Sequence, residues 1–313
     1  MKTKLITAAL ALAAAATVVP ATAADRVERF DLAVTVDDLP VHGPLPKGMD
    51  WPGIARDYIG TLKHHGVPEA WGFVNARRIA EQPASEAALD AWRQAGYPLG
   101  NHSSSHLGLS QAPSLQAWQD DVAAGEPAIA ARVRGQDWKV LRYPFLDAGK
   151  DPARHDGAAA WLKGRGYRIA DVSISFDDWA YTDTYARCRN KGEQGDQAAI
   201  AAMKADYLKR VDQTIARTRA VSQRVYGRMI PQVLLTHLGA WSAATLPDVM
   251  ARLDRAGARY VALDTVQGDE AYRAPSPRAG DGLLMDRRAQ DAGVKLDGLP
   301  AVDPVMALEA LCR

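Results

Sequence analysis

Charge imbalance is absent from this chain of 313 residues: 38 Lys and Arg stand against 37 Asp and Glu, and a leader that carries only Lys2 and Lys4 accounts for two of the cations. Neither a basic patch nor an aromatic-interleaved RNA motif occurs, so the sequence argues against nucleic-acid or other polyanion binding. Also missing is an apolar run of the ~20 residues that a membrane-spanning helix needs. The apolar stretch from Leu5 to Val19 is closed by Pro20 and followed by the small residues Ala21, Ala23 and Ala24. With Lys2 and Lys4 ahead of it, residues 1–23 have the pattern of a secretory signal peptide, and no cysteine follows the cleavage point to take a lipid. The expectation is an exported protein, periplasmic or secreted, with no integral membrane segment in its mature form.

Cysteine is scarce, with only Cys188 and Cys312 present. In an oxidising compartment they could form one disulfide joining a loop to the C-terminus, and two unpaired thiols is the alternative. Internal repeats and low-complexity segments are missing beyond the leader. The remaining ~290 residues suit one α/β barrel domain with a tail. The boundaries expected are residues 24–272 for the domain and 273–313 for a C-terminal extension. That extension begins in the linker-like "RAPSPRAGDG" and ends in a short helical pattern around "DPVMALEALC".

Between these limits, short β-rich runs alternate with longer amphipathic ones. Strands are expected at "FDLAVTV" from Phe30, "AWGFV" from Ala70, "YPLGN" from Tyr97, "KVLRYPF" from Lys139, "YRIADVSI" from Tyr167, "PQVLLTH" from Pro231 and "ARYVAL" from Ala258. Series of β-then-α units need crossover connections and so imply a parallel sheet, which could close into a (β/α) barrel of about seven strands. In such barrels the reacting groups sit at the C-terminal ends of the strands. The polar residues obey that rule: Asp37 and Asp38 end the first strand, "GNHSSSH" the third, "RYPF" the fourth, "SFDDW" follows the fifth, and His237 ends the sixth.

Adjacent carboxylates repel unless a cation or an arginine neutralises them. At a spacing of four, His102 and His106 share one face of a helical turn, which Asn101 could cap. One aspartate with these two imidazoles makes a two-histidine, one-carboxylate site with open positions. One divalent cation suits it, Zn²⁺ first, with Co²⁺, Ni²⁺ or Fe²⁺ also admitted. The second aspartate is then free to take a proton, Arg142 could pair with it, and His237 is placed to protonate a leaving atom. An acid from Asp177 or Asp178 could orient His237. Trp179, Tyr181 and Trp241 could stack on sugar rings or simply pack. His42, in the proline-rich run after the first strand, could approach the metal, but the reading preferred is a solvent-exposed loop histidine.

The ordered set "TVDD", "HSSSH", "RYPF", "DDW" and "LLTH" resembles the five motifs of the NodB-homology polysaccharide deacetylases, the fourth carbohydrate esterase family, over roughly Phe30 to Leu263. The resemblance implies Asp37 as general base, and Asp38, His102 and His106 as metal ligands. It further implies Arg142 as the partner of Asp37, Asp178 as the tuner of His237, His237 as general acid, and the backbone N–H of Phe145 as an oxyanion donor. Trp179 and Leu235 would form the pocket for the acetyl methyl group. The fold it implies is a distorted (β/α) barrel, and the substrate it implies is an acetylated carbohydrate, such as an N-acetylglucosamine polymer or an O-acetylated xylan. Two departures are visible: Leu39-Pro40 follows the aspartates where many members have Gly, and Ser175 stands where an acid is usual. Hydrolysis of a non-sugar amide at the same metal site, or a silent glycan-binding barrel, are the alternatives.

Overall fold

The computed structural model describes residues 28–133, 137–273 and 280–313, so the expected signal peptide and most of the linker-like stretch lie outside it. In chain order the elements are β1 Phe30–His42, α1 Trp51–His64, β2 Ala70–Val74, α2 Ala76–Glu81, α3 Glu86–Gln94, β3 Leu99–Asn101, α4 Leu115–Ala130 and β4 Val140–Leu141. They continue with α5 Pro152–Gly164, β5 Arg168–Ile169, β6 Ile174–Ser175, α6 Thr182–Asn190, α7 Gln197–Tyr226, β7 Gln232–Gly239 and α8 Ala240–Arg255. The last are β8 Ala258–Tyr260, α9 Leu263–Gln267, α10 Glu270–Arg273 and α11 Leu284–Asp291. Side chains start several of the helices: Asp50 accepts from the Gly53 N–H at 2.6 Å, Ser114 from Ala117 at 3.1 Å, Asp151 from Arg154 at 2.8 Å and Asp196 from Ala199 at 3.0 Å. Each such cap stabilises its helix by about 1 kcal/mol.

The strands form one parallel sheet in the order β5-β4-β3-β2-β1-β7-β6. This is the curled, distorted (β/α) barrel expected, with seven strands along its path. β8 pairs with the first three residues of β1, on the edge that β2 takes from Val34 onward, because Leu32 pairs with Gln232 on one side and Tyr260 on the other. β1 and β7 are central and buried along nearly their whole length, which is why they read as continuous apolar runs.

Among the differences from the sequence expectation, three bear on how the sheet and the C-terminal segment are held. The run from Tyr167 splits into β5 and β6, and among the described residues no pairing joins them, so the barrel stays open at that seam. The C-terminal segment occupies the gap: the Leu284 N–H donates to Val172 O at 2.7 Å, and Arg287 pairs with Asp171 at 2.5 Å. Backbone groups in the seam thus find partners in a distant segment instead of in a strand neighbour. Second, α6 was not expected; its mean hydropathy is low, and it is held by packing of Tyr185 and Cys188. Third, the pattern around "DPVMALEALC" forms only a 3-10 turn at Leu308–Ala310. There Leu308 packs into the core, while Thr184 and Arg187 donate to its carbonyl at 3.4 Å.

Cys188 and Cys312 are disulfide-bonded, with Cα atoms 5.0 Å apart across 124 positions of sequence. Of the two alternatives open in sequence, the pair is therefore the one formed, and it ties the last residues to α6. Closing so long a loop restricts the unfolded chain, and its loss typically costs about 2–5 kcal/mol. Cys188→Ser with Cys312→Ser is expected to lower the unfolding free energy by that amount in chemical denaturation. Unchanged stability would show that the C-terminal segment docks without the bond.

Candidate functional site

Adjacent residues on a strand point to opposite faces, so Asp37 and Asp38 should not meet in one site. A bulge resolves this. The register of β1 shifts between Val36 and Leu39 against β2 and between Asp37 and His42 against β7, and Asp38 takes a left-handed backbone with φ 60°. Both carboxylates consequently approach His102, whose Nε2 lies 3.6 Å from Asp37 Oδ2 and 3.6 Å from Asp38 Oδ1.

The histidine pair arrives by a different route from the one expected. Residues 102–107 are irregular, not a helical turn, with Ser103 and His106 at φ 64° and 60°. Asn101 does hold the turn: its Oδ1 accepts the Ser103 N–H at 2.8 Å, and its Nδ2 donates to Val122 O at 2.9 Å. His102 Nδ1–H donates to the Arg142 carbonyl at 2.8 Å, which leaves Nε2 bare toward Asp38. His106 Nε2 lies 3.5 Å from the same Asp38 Oδ1, and that oxygen is buried with no hydrogen-bond partner. An orphaned carboxylate oxygen facing two bare imidazole nitrogens is the donor set of a divalent cation. Burial pushes both histidines down to about 4, with repulsion from His102 adding to the effect at His106, so both are neutral near pH 7, as ligands must be. Burial would raise Asp38, but the His42 hydrogen bond and the nearby histidines outweigh it and hold the carboxyl well below the usual range.

Around this set lie Asp37 and His237. Arg142 Nη1 is 3.4 Å from both oxygens of Asp37, while its Nε donates to Ala170 O at 2.7 Å and Nη2 to Thr35 Oγ1 at 2.8 Å. Burial pushes Asp37 up to about 6, against the lowering effect of Arg142 and His237. On β7, His237 Nδ1–H donates to Asp178 Oδ1 at 2.8 Å; Asp178 Oδ2 accepts from the His237 N–H at 2.8 Å and Ser242 Oγ at 2.6 Å. Burial alone would lower His237, but the Asp178 carboxylate overrides it and raises the imidazole to about 9. Asp178, not Asp177, is the partner: Asp177 has φ 56°, and Arg210 takes its carboxylate.

Phe145 also has a left-handed backbone, φ 59°, and its ring meets His106 at 4.3 Å between centroids. Six of the seven non-glycine residues with positive φ among those described lie on the site's own loops: Asp38, Ser103, His106, Phe145, Leu146 and Asp177. Strain concentrated in this way marks a functional site. Leu235 is buried on β7 opposite Thr35 and Ser175, and Trp179 is 55% exposed. Tyr181 and Trp241 are fully buried and stacked on one another at 5.3 Å, so they belong to the core. His42 is no loop histidine either. It ends β1 half-buried, and its Nδ1–H donates to Asp38 Oδ2 at 2.7 Å. Sequence inspection also missed Thr35, although its i, i+2 relation to Asp37 on a strand was the available signal, and Ser242, for which there was none.

Residues 24–159 match the polysaccharide deacetylase family, a stretch that contains "TVDD", "HSSSH" and "RYPF". Over those residues the chain is similar to that family. Asp178 and His237 lie beyond the matched stretch, and their place in the site rests on the geometry above. Among solved structures, the chain is similar to a family 4 carbohydrate esterase from Streptomyces lividans, at 20% identity over 76% of this chain and 95% of the other, TM-score 0.46. It is also similar to a polysaccharide deacetylase from Bacillus cereus, at 18% identity over 83% and 100% of the two chains, TM-score 0.48. A third is a family 4 pseudoenzyme from Bacillus anthracis, at 14% identity over 77% and 66%, TM-score 0.48. A search of curated proteins finds no match.

Proposed function

We propose that this chain is a member of the polysaccharide deacetylase family, a metal-dependent hydrolase that removes acetyl groups from an acetylated glycan outside the cytoplasm. The observation that carries it is the pair of opposed proton affinities beside one cation-binding set: Asp37 raised only to about 6, His237 raised to about 9. At neutral pH the first is a carboxylate able to accept a proton and the second an imidazolium able to give one. Asp38, His102 and His106 would hold the cation, which when bound supplies Lewis-acid polarisation of the acetyl carbonyl and a more acidic water. Asp37, ionised and oriented by Arg142, takes the proton from the attacking water. The Phe145 backbone N–H serves the developing oxyanion, His237 protonates the departing sugar nitrogen or oxygen, and Leu235 with Trp179 accommodates the acetyl methyl. The complete set argues against a silent glycan-binding barrel. The disulfide and the leader-like residues 1–23 support export to an oxidising compartment, periplasmic or extracellular.

Released acetate, measured with chitin oligomers, peptidoglycan and acetylated xylan in the presence of Zn²⁺ or Co²⁺, tests the proposal. Absence of acetate from all three would overturn it and favour a non-sugar amide. Because the acid must carry its proton, kcat/KM is expected to fall as pH rises through about 9. Asp178→Asn removes the largest of the charges that raise His237, leaving only Asp38 and Asp37 to oppose burial, and should move this alkaline limb to lower pH. An unmoved limb in the pH profile would show that another group is the acid.

A further inference from the structure

Two groups of donors share Asp38: one with His102 and His106, the other with His42 and His237. The first converges on Asp38 Oδ1, with the Nε2 atoms of His102 and His106 3.6 and 3.5 Å away, whereas in the second His42 Nδ1 is engaged with Asp38 Oδ2 and His237 Nδ1 with Asp178. The two oxygens of Asp38 are thus unlike. Oδ2 accepts the His42 N–H at 2.7 Å, whereas Oδ1 is the buried, unpartnered atom 3.5–3.6 Å from His106 and His102.

We propose that His42 is a positioning residue that engages Asp38 Oδ2, leaves Oδ1 as the single oxygen presented to the cation, and so sets the affinity of the metal site. It rests on the metal-dependent site described above, but not on any particular substrate.

The local structure is arranged around this contact. Beyond the bulge, β1 resumes pairing at His42, which sits opposite Gly239 of β7. A Cβ at position 239 would come within 2.8 Å of the His42 carbonyl oxygen, so the close approach of the two strands needs glycine there. The ring of His42 lies against that of His237, centroids 4.6 Å apart and tilted by 39°, which holds it above Asp38. The need for a tether follows from the backbone. Asp38 sits at φ 60° in a bulge, where no regular strand neighbour fixes its side chain, and a carboxylate free to rotate can offer either oxygen, or both, to an ion. A hydrogen bond to one oxygen removes that freedom before the ion arrives. Partners of this kind, one bond removed from the ion, typically contribute 10–100-fold in metal affinity.

The test uses the full mature chain and needs no substrate. Zn²⁺ dissociation constants are measured by chelator competition for the wild type, His42→Ala, His42→Phe and His42→Asn, with the visible spectrum of the Co²⁺-loaded protein recorded for each. Ala and Phe remove the donor, Phe retaining a ring against His237; Asn places an amide N–H near the position of Nδ1. The expected result is a roughly 10–100-fold weaker Zn²⁺ complex and an altered Co²⁺ spectrum for Ala and Phe, with most of both recovered in Asn. A purely structural role would lower the unfolding midpoint without this donor-dependent order. Wild-type affinity in His42→Phe or His42→Ala overturns the proposal, as does a wild type that binds neither Zn²⁺ nor Co²⁺. A chain that shows the expected affinity series but releases no acetate keeps the role of His42 and loses only the deacetylase assignment.

Discussion

Asp38→Ala is expected to abolish stoichiometric metal binding and, with it, turnover. Asp38 supplies the only carboxylate of the three-donor set, and its Oδ1 is the atom on which His102 and His106 converge at 3.6 and 3.5 Å. Two neutral imidazoles alone bring no charge to offset the dehydration of a divalent ion. The cation's share of transition-state stabilisation is several kcal/mol, so acetate release should fall by roughly 10³-fold or more. The fold should survive, because the substitution removes a buried charge whose Oδ1 has no hydrogen-bond partner. Metal content by atomic emission, alongside the thermal midpoint, checks both halves. One equivalent of bound metal in folded Asp38→Ala would refute the ligand assignment.

Asp37→Asn should separate chemistry from metal binding. The amide keeps the shape of the side chain but cannot accept the proton of the attacking water, and loss of a general base typically costs 10²–10⁴-fold in kcat. Metal affinity and KM should change little, since Asp37 is outside the donor set. A second effect follows from the burial of Arg142, which loses its counter-charge: removal of one member of a buried pair costs about 3–5 kcal/mol. Its bonds to Thr35 and Ala170 remain and should hold the loss toward the lower end. Activity within tenfold of wild type in metal-loaded Asp37→Asn would remove Asp37 as the base.

Much of the site was legible in sequence because barrel strands bring their C-terminal ends to one rim whatever their separation along the chain. Asp37, Asp38, His102, His106, Arg142 and His237 all meet there. Legibility stopped where one local pattern admits two orientations. Asp177 and Asp178 are adjacent identical residues, and only the left-handed backbone at Asp177, with Arg210 waiting on α7, sends one outward and the other to His237. His42 belonged to a proline-rich run that reads as loop, yet strand pairing resumes at it across from Gly239.

By itself the sequence determined the strand-and-helix alternation, the barrel and the chemical types gathered at its rim, because periodicity and strand-end placement are local properties that survive without a partner. Only the tertiary structure decided how those types act. The bulge in β1 puts two neighbouring carboxylates into one site; burial raises Asp37 while the Asp178 carboxylate, against burial, raises His237, which sets the two on opposite sides of neutrality. The C-terminal segment closes the seam between β5 and β6, and the disulfide fixes its end to α6. Each depends on groups far apart in the chain, whose distance, desolvation and charge exist only once the backbone has brought them together.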